Sequence, residues 1–116
     1  MLRITPDTFA AVSRQEENEY VARLSALLRE TVPDLAHEPP AQLDAQIRLQ
    51  IDAARGYAMT SERAVATYVV TAAQLGPDFP DQFPAARAFL TDHIGDEEKA
   101  DALEQFTLAL FEALER

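Results

Sequence analysis

The sequence contains no cysteine. That excludes disulfides, thiolate nucleophiles and cysteine metal sites, and it fits a reducing compartment. Glycine occurs only at Gly56, Gly76 and Gly95, too few and too far apart for a dinucleotide or phosphate-binding glycine loop. No run of 18 apolar residues is present, so no spanning helix is expected. The opening, Met1-Leu2-Arg3-Ile4-Thr5-Pro6-Asp7, lacks a basic region followed by an apolar stretch. No signal peptide is therefore expected, and the expected location is the cytoplasm.

Chemistry-bearing motifs are equally scarce. The two histidines, His37 and His93, fall in separate links, and neither pairs with another ligand at metal-site spacing. Glu16, Glu17 and Glu19 lack the Glu-x-x-His pairing of di-iron bundles. Asp92, Asp96, Glu97, Glu98, Asp101 and Glu104 do not follow a calcium-loop spacing. Ser13, Ser25 and Ser61 have no nucleophile-elbow glycines around them. No catalytic residue, cofactor or metal is assigned, and a non-enzymatic protein is expected.

What is abundant is acid. The formal charge is −10, and it is uneven. Residues 1–58 hold nine acids and six arginines (−3), while residues 59–116 hold eleven acids against three arginines and Lys99 (−7). A basic stripe for phosphate and a basic amphipathic helix for lipid are both missing, so neither nucleic acid nor membrane is an expected partner. The acid excess serves solubility, or alternatively forms a face for a basic protein.

With 47% hydrophobic and 26% charged residues, the chain falls in the globular class rather than the disordered one. Periodicity and punctuation predict an all-α fold: one compact domain, residues 1–116, of about five helices, one of them a short crosspiece. The first helix opens at Thr5-Pro6-Asp7, carries Phe9, Val12, Tyr20, Leu24, Leu27 and Leu28, and stops before Pro33. Leu35 is expected to tuck back into the core. The second helix runs from about Pro40 to Tyr57 with Leu43, Ile47, Ile51, Ala54 and Tyr57 on one face, and Gly56, in its final turn or just past it, marks its stop.

The third helix begins at a Thr60 or Ser61 cap, presents Val65, Tyr68, Val69, Ala72 and Leu75, and ends at a left-handed Gly76 before Pro77. The crosspiece spans about Gln82 or Pro84 to His93, with Phe83, Ala86, Phe89 and Leu90 inward. Asp96 is expected to cap the last helix, whose stripe is Ala100, Leu103, Phe106, Leu110 and Leu114.

Seven residues stand out as candidate partner contacts. Phe79 and Phe83 sit at a proline-stiffened corner. Phe111 widens the apolar face of the last helix, and Asp96, Glu97, Asp101 and Glu104 form its acidic row.

A set of motifs carries a family resemblance. They are Leu2-Arg3-Ile4-Thr5, Ala53-Ala54-Arg55-Gly56-Tyr57, Thr60-Ser61-Glu62-Arg63, Tyr68-Val69, Leu75-Gly76-Pro77-Asp78-Phe79, Pro84-Ala85 and Ala88-Phe89-Leu90. In these the chain resembles small proteins of proteobacterial type VI secretion gene clusters, encoded near spike-tip proteins and toxic effectors. The resemblance implies an accessory acting beside a secreted toxin, as adaptor or chaperone, or alternatively as an immunity protein. It supplies no catalytic residues. A homo-oligomeric structural module using the Phe106–Leu114 face is a further alternative.

Overall fold

Proline sets several of the boundaries. In the computed structural model, which describes the backbone of residues 6–115 and the side chains of residues 14–115, α1 spans Pro6–Thr31 and a single 3-10 turn covers Pro33–Leu35. α2 is Pro40–Gly56, α3 is Glu62–Leu75, α4 is Phe79–Gln82, α5 is Pro84–Leu90 and α6 is Asp96–Leu114. All regular elements among the described residues are helical. The Thr5 cap and the side chains of Phe9, Val12 and Ser13 lie outside the described residues.

The chain falls into two compact units, one ending at Ala45 and one beginning at Gln46, with the division inside α2. In the first unit, α1 buries Val21, Leu24 and Leu28. Val21 takes the place that the sequence pattern gave to Tyr20 and Leu27: Tyr20 is half-buried beneath the Arg23 guanidinium and Leu27 is exposed. The polar run Gln15–Glu19 is exposed apart from a half-buried Glu17.

Val32 is extended, at φ −120° and ψ 96°, as a residue before proline must be. The link that follows is held by Arg29. Its guanidinium donates to the carbonyls of Leu35 (3.3 Å), Ala36 (2.9 Å) and Glu38 (2.7 Å). Leu35, expected in the core, is only half-buried, because this link is fastened through its carbonyl oxygens rather than through apolar burial.

In the second unit α2 buries Ile47, Ile51 and Ala54, and α3 buries Val65, Tyr68, Val69 and Ala72. α3 packs most extensively on α6, α5 also lies on α6, and α4 lies on α5. The β-branched run of α3 is helical despite its modest propensity because this face is buried.

Of two helix ends marked by glycine, one agrees with its sequence reading and one differs. α2 ends at Gly56, as expected, although Gly56 itself is not left-handed. The left-handed residue is Ala58, at φ 61°. Its N–H bonds to Arg55 O (2.9 Å) and that of the buried Met59 to Ala54 O (3.0 Å), which is the paired closure of a Schellman motif. An L-residue is strained there, so Ala58→Gly is expected to stabilise the protein by about 0.5–1 kcal/mol. Urea denaturation read as a midpoint shift at constant slope checks this.

Gly76 does have positive φ, at 108°, but its ψ of 153° is extended rather than left-handed helical. Pro77 explains the difference, since it disfavours helical ψ in the preceding residue. The combination is open essentially to glycine alone. The chain then turns, with Phe79 N–H on Gly76 O (3.2 Å), and forms a single turn of helix, α4, that periodicity cannot signal.

Candidate functional site

α6 begins with three acids in its first turn, Asp96, Glu97 and Glu98. The N-cap is Gly95, not Asp96. Asp96 instead reaches 35 residues back in sequence and accepts the N–H groups of Ser61 (2.9 Å) and Thr60 (3.2 Å) through one oxygen. Ser61 caps α3 as expected, accepting Ala64 N–H at 3.1 Å. Its hydroxyl in turn donates to Glu97 Oε1 at 2.7 Å.

Arg63, the second residue of α3, completes the clasp. Its guanidinium meets Glu97 (2.6 Å), Asp101 (2.7 Å) and Glu104 (3.1 Å). The acidic row is thus an α3–α6 fastening as well as a surface: three carboxylates meet one guanidinium and Asp96 takes two backbone N–H groups, so net negative charge remains. Among the described residues no group of three His, Asp or Glu side chains is placed to hold a metal ion.

The clasp lowers the carboxyl pKa values. Asp96 falls below its ordinary value chiefly through the Ser61 and then the Thr60 N–H. Glu97 falls through the Ser61 hydroxyl and then the Arg63 guanidinium. A carboxyl whose pKa is depressed by folding contributes stability above its unfolded pKa and loses it as pH falls through the folded value. Melting temperature is therefore expected to hold near neutrality and drop below the ordinary carboxylate range. Asp96→Asn should flatten that drop, as thermal melts in a pH series would show.

The aromatic candidates separate. Phe79 is fully buried, with its ring centroid 5.1 Å from that of Tyr68. It offers no surface to a partner, because the α4 turn rotates it inward from the corner where the sequence placed it. Phe83 is half-buried, edge-on to Phe106 at 5.5 Å, and Phe89 approaches the same ring at 6.3 Å.

Along α6 burial stops early. Lys99, Ala100 and Leu103 are buried, and Phe106 and Leu110 half-buried. Leu114, expected inward, is 71% exposed. Phe111 is 39% and Leu108 54% exposed. Of the seven candidates, Asp96, Glu97, Asp101 and Glu104 therefore gather at the Arg63 clasp. Phe111 remains at the surface further along the same helix.

Lys99, noted from sequence only as charge, is 5% exposed. Its ammonium donates to Tyr57 O at 2.7 Å, at the C-terminal end of α2, where a cation is favoured by the helix dipole. It lines a hollow of about 430 Å3 together with His93 and Thr91. His37 and His93 are both exposed. No helix among the described residues is long and apolar enough to cross a membrane. No protein-family model matches this chain, and comparison with curated proteins and with solved structures gives no match.

Proposed function

We propose that this protein is a non-enzymatic, protein-binding accessory of a type VI secretion effector module. In this reading it acts in the cytoplasm as adaptor or chaperone for a secreted effector or spike-tip protein encoded nearby. The observation that carries the binding role is the C-terminal half of α6. Leu108, Phe111 and Leu114 stand exposed there, on the helix whose first half bears the acidic row. Apolar anchors beside unspent charge suit a partner with a basic rim. The secretion context rests on the motif resemblance.

Co-expression with the adjacent effector or spike protein, followed by size exclusion with light scattering, tests the role. A stoichiometric complex is expected, and Phe111→Ser should weaken it; separate elution of both proteins would oppose it.

The same acidic surface favours a second reading, an immunity protein that covers a basic toxin. Deletion separates the two. Loss of an adaptor stops effector export and leaves cells healthy, whereas loss of an immunity protein poisons them. A homo-oligomeric module closing over Phe106, Leu110, Phe111 and Leu114 is a third reading. A monomer mass that does not change with concentration would remove it.

A further inference from the structure

A second hollow, of about 360 Å3, lies in the second unit between the end of α2 and the Pro77–Asp81 corner. Its walls include Tyr57, Tyr68, Pro77, Asp78, Pro80 and Asp81. Tyr68 is 1% exposed, and its hydroxyl makes no hydrogen bond among the described residues. That oxygen is also absent from the sealed, orphaned polar atoms of the interior. The little accessibility Tyr68 retains is therefore at its hydroxyl, on the hollow that it lines. Buried tyrosine hydroxyls ordinarily have a partner.

Burial, then Tyr57, then Asp81 push the Tyr68 pKa up to about 12. The phenol is neutral at physiological pH, and the Asp81 charge lies near it.

The rest of the lining defines what would fit. Asp78 is exposed at the N-cap of α4, yet its side chain makes no cap hydrogen bond and has no other partner among the described residues. Asp81 shares one oxygen with Arg87 at 2.8 Å, and Arg87 does not line the hollow. The Tyr57 and Tyr68 rings lie 5.9 Å apart, tilted by 37°, and the two prolines supply apolar walls. Carboxylates repel an anion. The half-buried Tyr57 ring, the Tyr68 phenol oxygen and an unpaired carboxylate attract an organic cation. The volume is at the small end of ligand sites, the size of a side chain rather than a cofactor.

The geometry points to a docking site for one basic side chain, arginine or lysine, presented by a protein partner. This rests on the partner-binding reading above and names the chemistry the partner brings. Tyr68 Oη accepts a hydrogen bond from the incoming cation, Asp78 pairs with its charge, and Tyr57 packs against its stem. The chain's net charge of −10 favours the encounter.

The test needs no effector, so its failure is distinguishable from failure of the binding role. The full chain is titrated with Nα-acetyl-arginine amide at constant ionic strength, with amide shifts followed by NMR. The neutral citrulline counterpart serves as control. Saturable shifts at Tyr57, Tyr68, Asp78 and Asp81 are expected with the arginine probe and not with citrulline. Tyr68→Phe keeps the ring and should weaken binding about threefold to tenfold. Asp78→Asn should act in the same direction. No saturable shift, equal response to citrulline, or unchanged affinity in both variants would overturn the site. A complex with the neighbouring effector unaffected by both variants would also overturn it, while leaving the binding role intact.

Discussion

Phe79→Ala is expected to lower the unfolding free energy by about 3–5 kcal/mol, the range for truncating a buried aromatic. Phe79 is fully buried and packs its ring on Tyr68, which itself packs on Tyr57. The three rings join α4, α3 and the end of α2. Removing the central partner of Tyr68 leaves a void that Pro77 and Pro80, stiff and close by, resist closing. Typical domains have only about 5–15 kcal/mol in all, so the variant should be only marginally folded at ambient temperature. Urea denaturation followed by circular dichroism measures this. A loss below about 1 kcal/mol would show that Phe79 is not a core residue.

Gly76→Val should cost about 1–3 kcal/mol. Beyond its two chain neighbours, no atom stands within 4 Å of a Cβ built at Gly76, so the loss is of backbone origin and not a clash. The residue must combine positive φ with extended ψ, and a β-branched side chain is barred from that region. Gly56 is the matched control. It too has open space for a Cβ, but it is helical, and Gly56→Ala is expected to stabilise by about 0.5–1 kcal/mol. Opposite signs at two equally uncrowded glycines would isolate backbone conformation as the cause. A neutral Gly76→Val would contradict the assigned φ and ψ.

The helices were legible wherever burial is periodic. Leu43, Ile47, Ile51 and Ala54 of α2, and Val65, Tyr68, Val69 and Ala72 of α3, occupy the faces their spacing predicts. Boundaries were legible where proline or a serine cap sets them, as at Val32 and Ser61. α4 was not, because four residues are too few to show a period. Its Phe79-Pro80 start also resembles loop sequence.

The Schellman closure at Ala58 was hidden by Gly56, the more usual stop signal two positions earlier. The acidic row was visible as composition but not as the Arg63 clasp, since its partners lie more than 30 residues apart. The same holds for Asp96, whose cap serves α3 rather than α6. Lys99 and the Tyr68 hydroxyl carried no local signal at all. Their significance comes from what surrounds them: a helix-end carbonyl in one case, an open hollow in the other. The α6 stripe continues its period to Leu114 while burial ends near Leu103. Periodicity reports an apolar face and not what covers it.

The central claim, that this protein works by binding a partner protein, is tested most directly by isothermal titration calorimetry. The titrant is the partner proposed above, an effector or spike-tip protein encoded nearby, at low and at raised salt. The account predicts saturable binding at a fixed stoichiometry, weakened as salt screens the acidic surface and weakened again by Phe111→Ser. Absence of saturable binding at both salt concentrations, with both proteins folded, would contradict it.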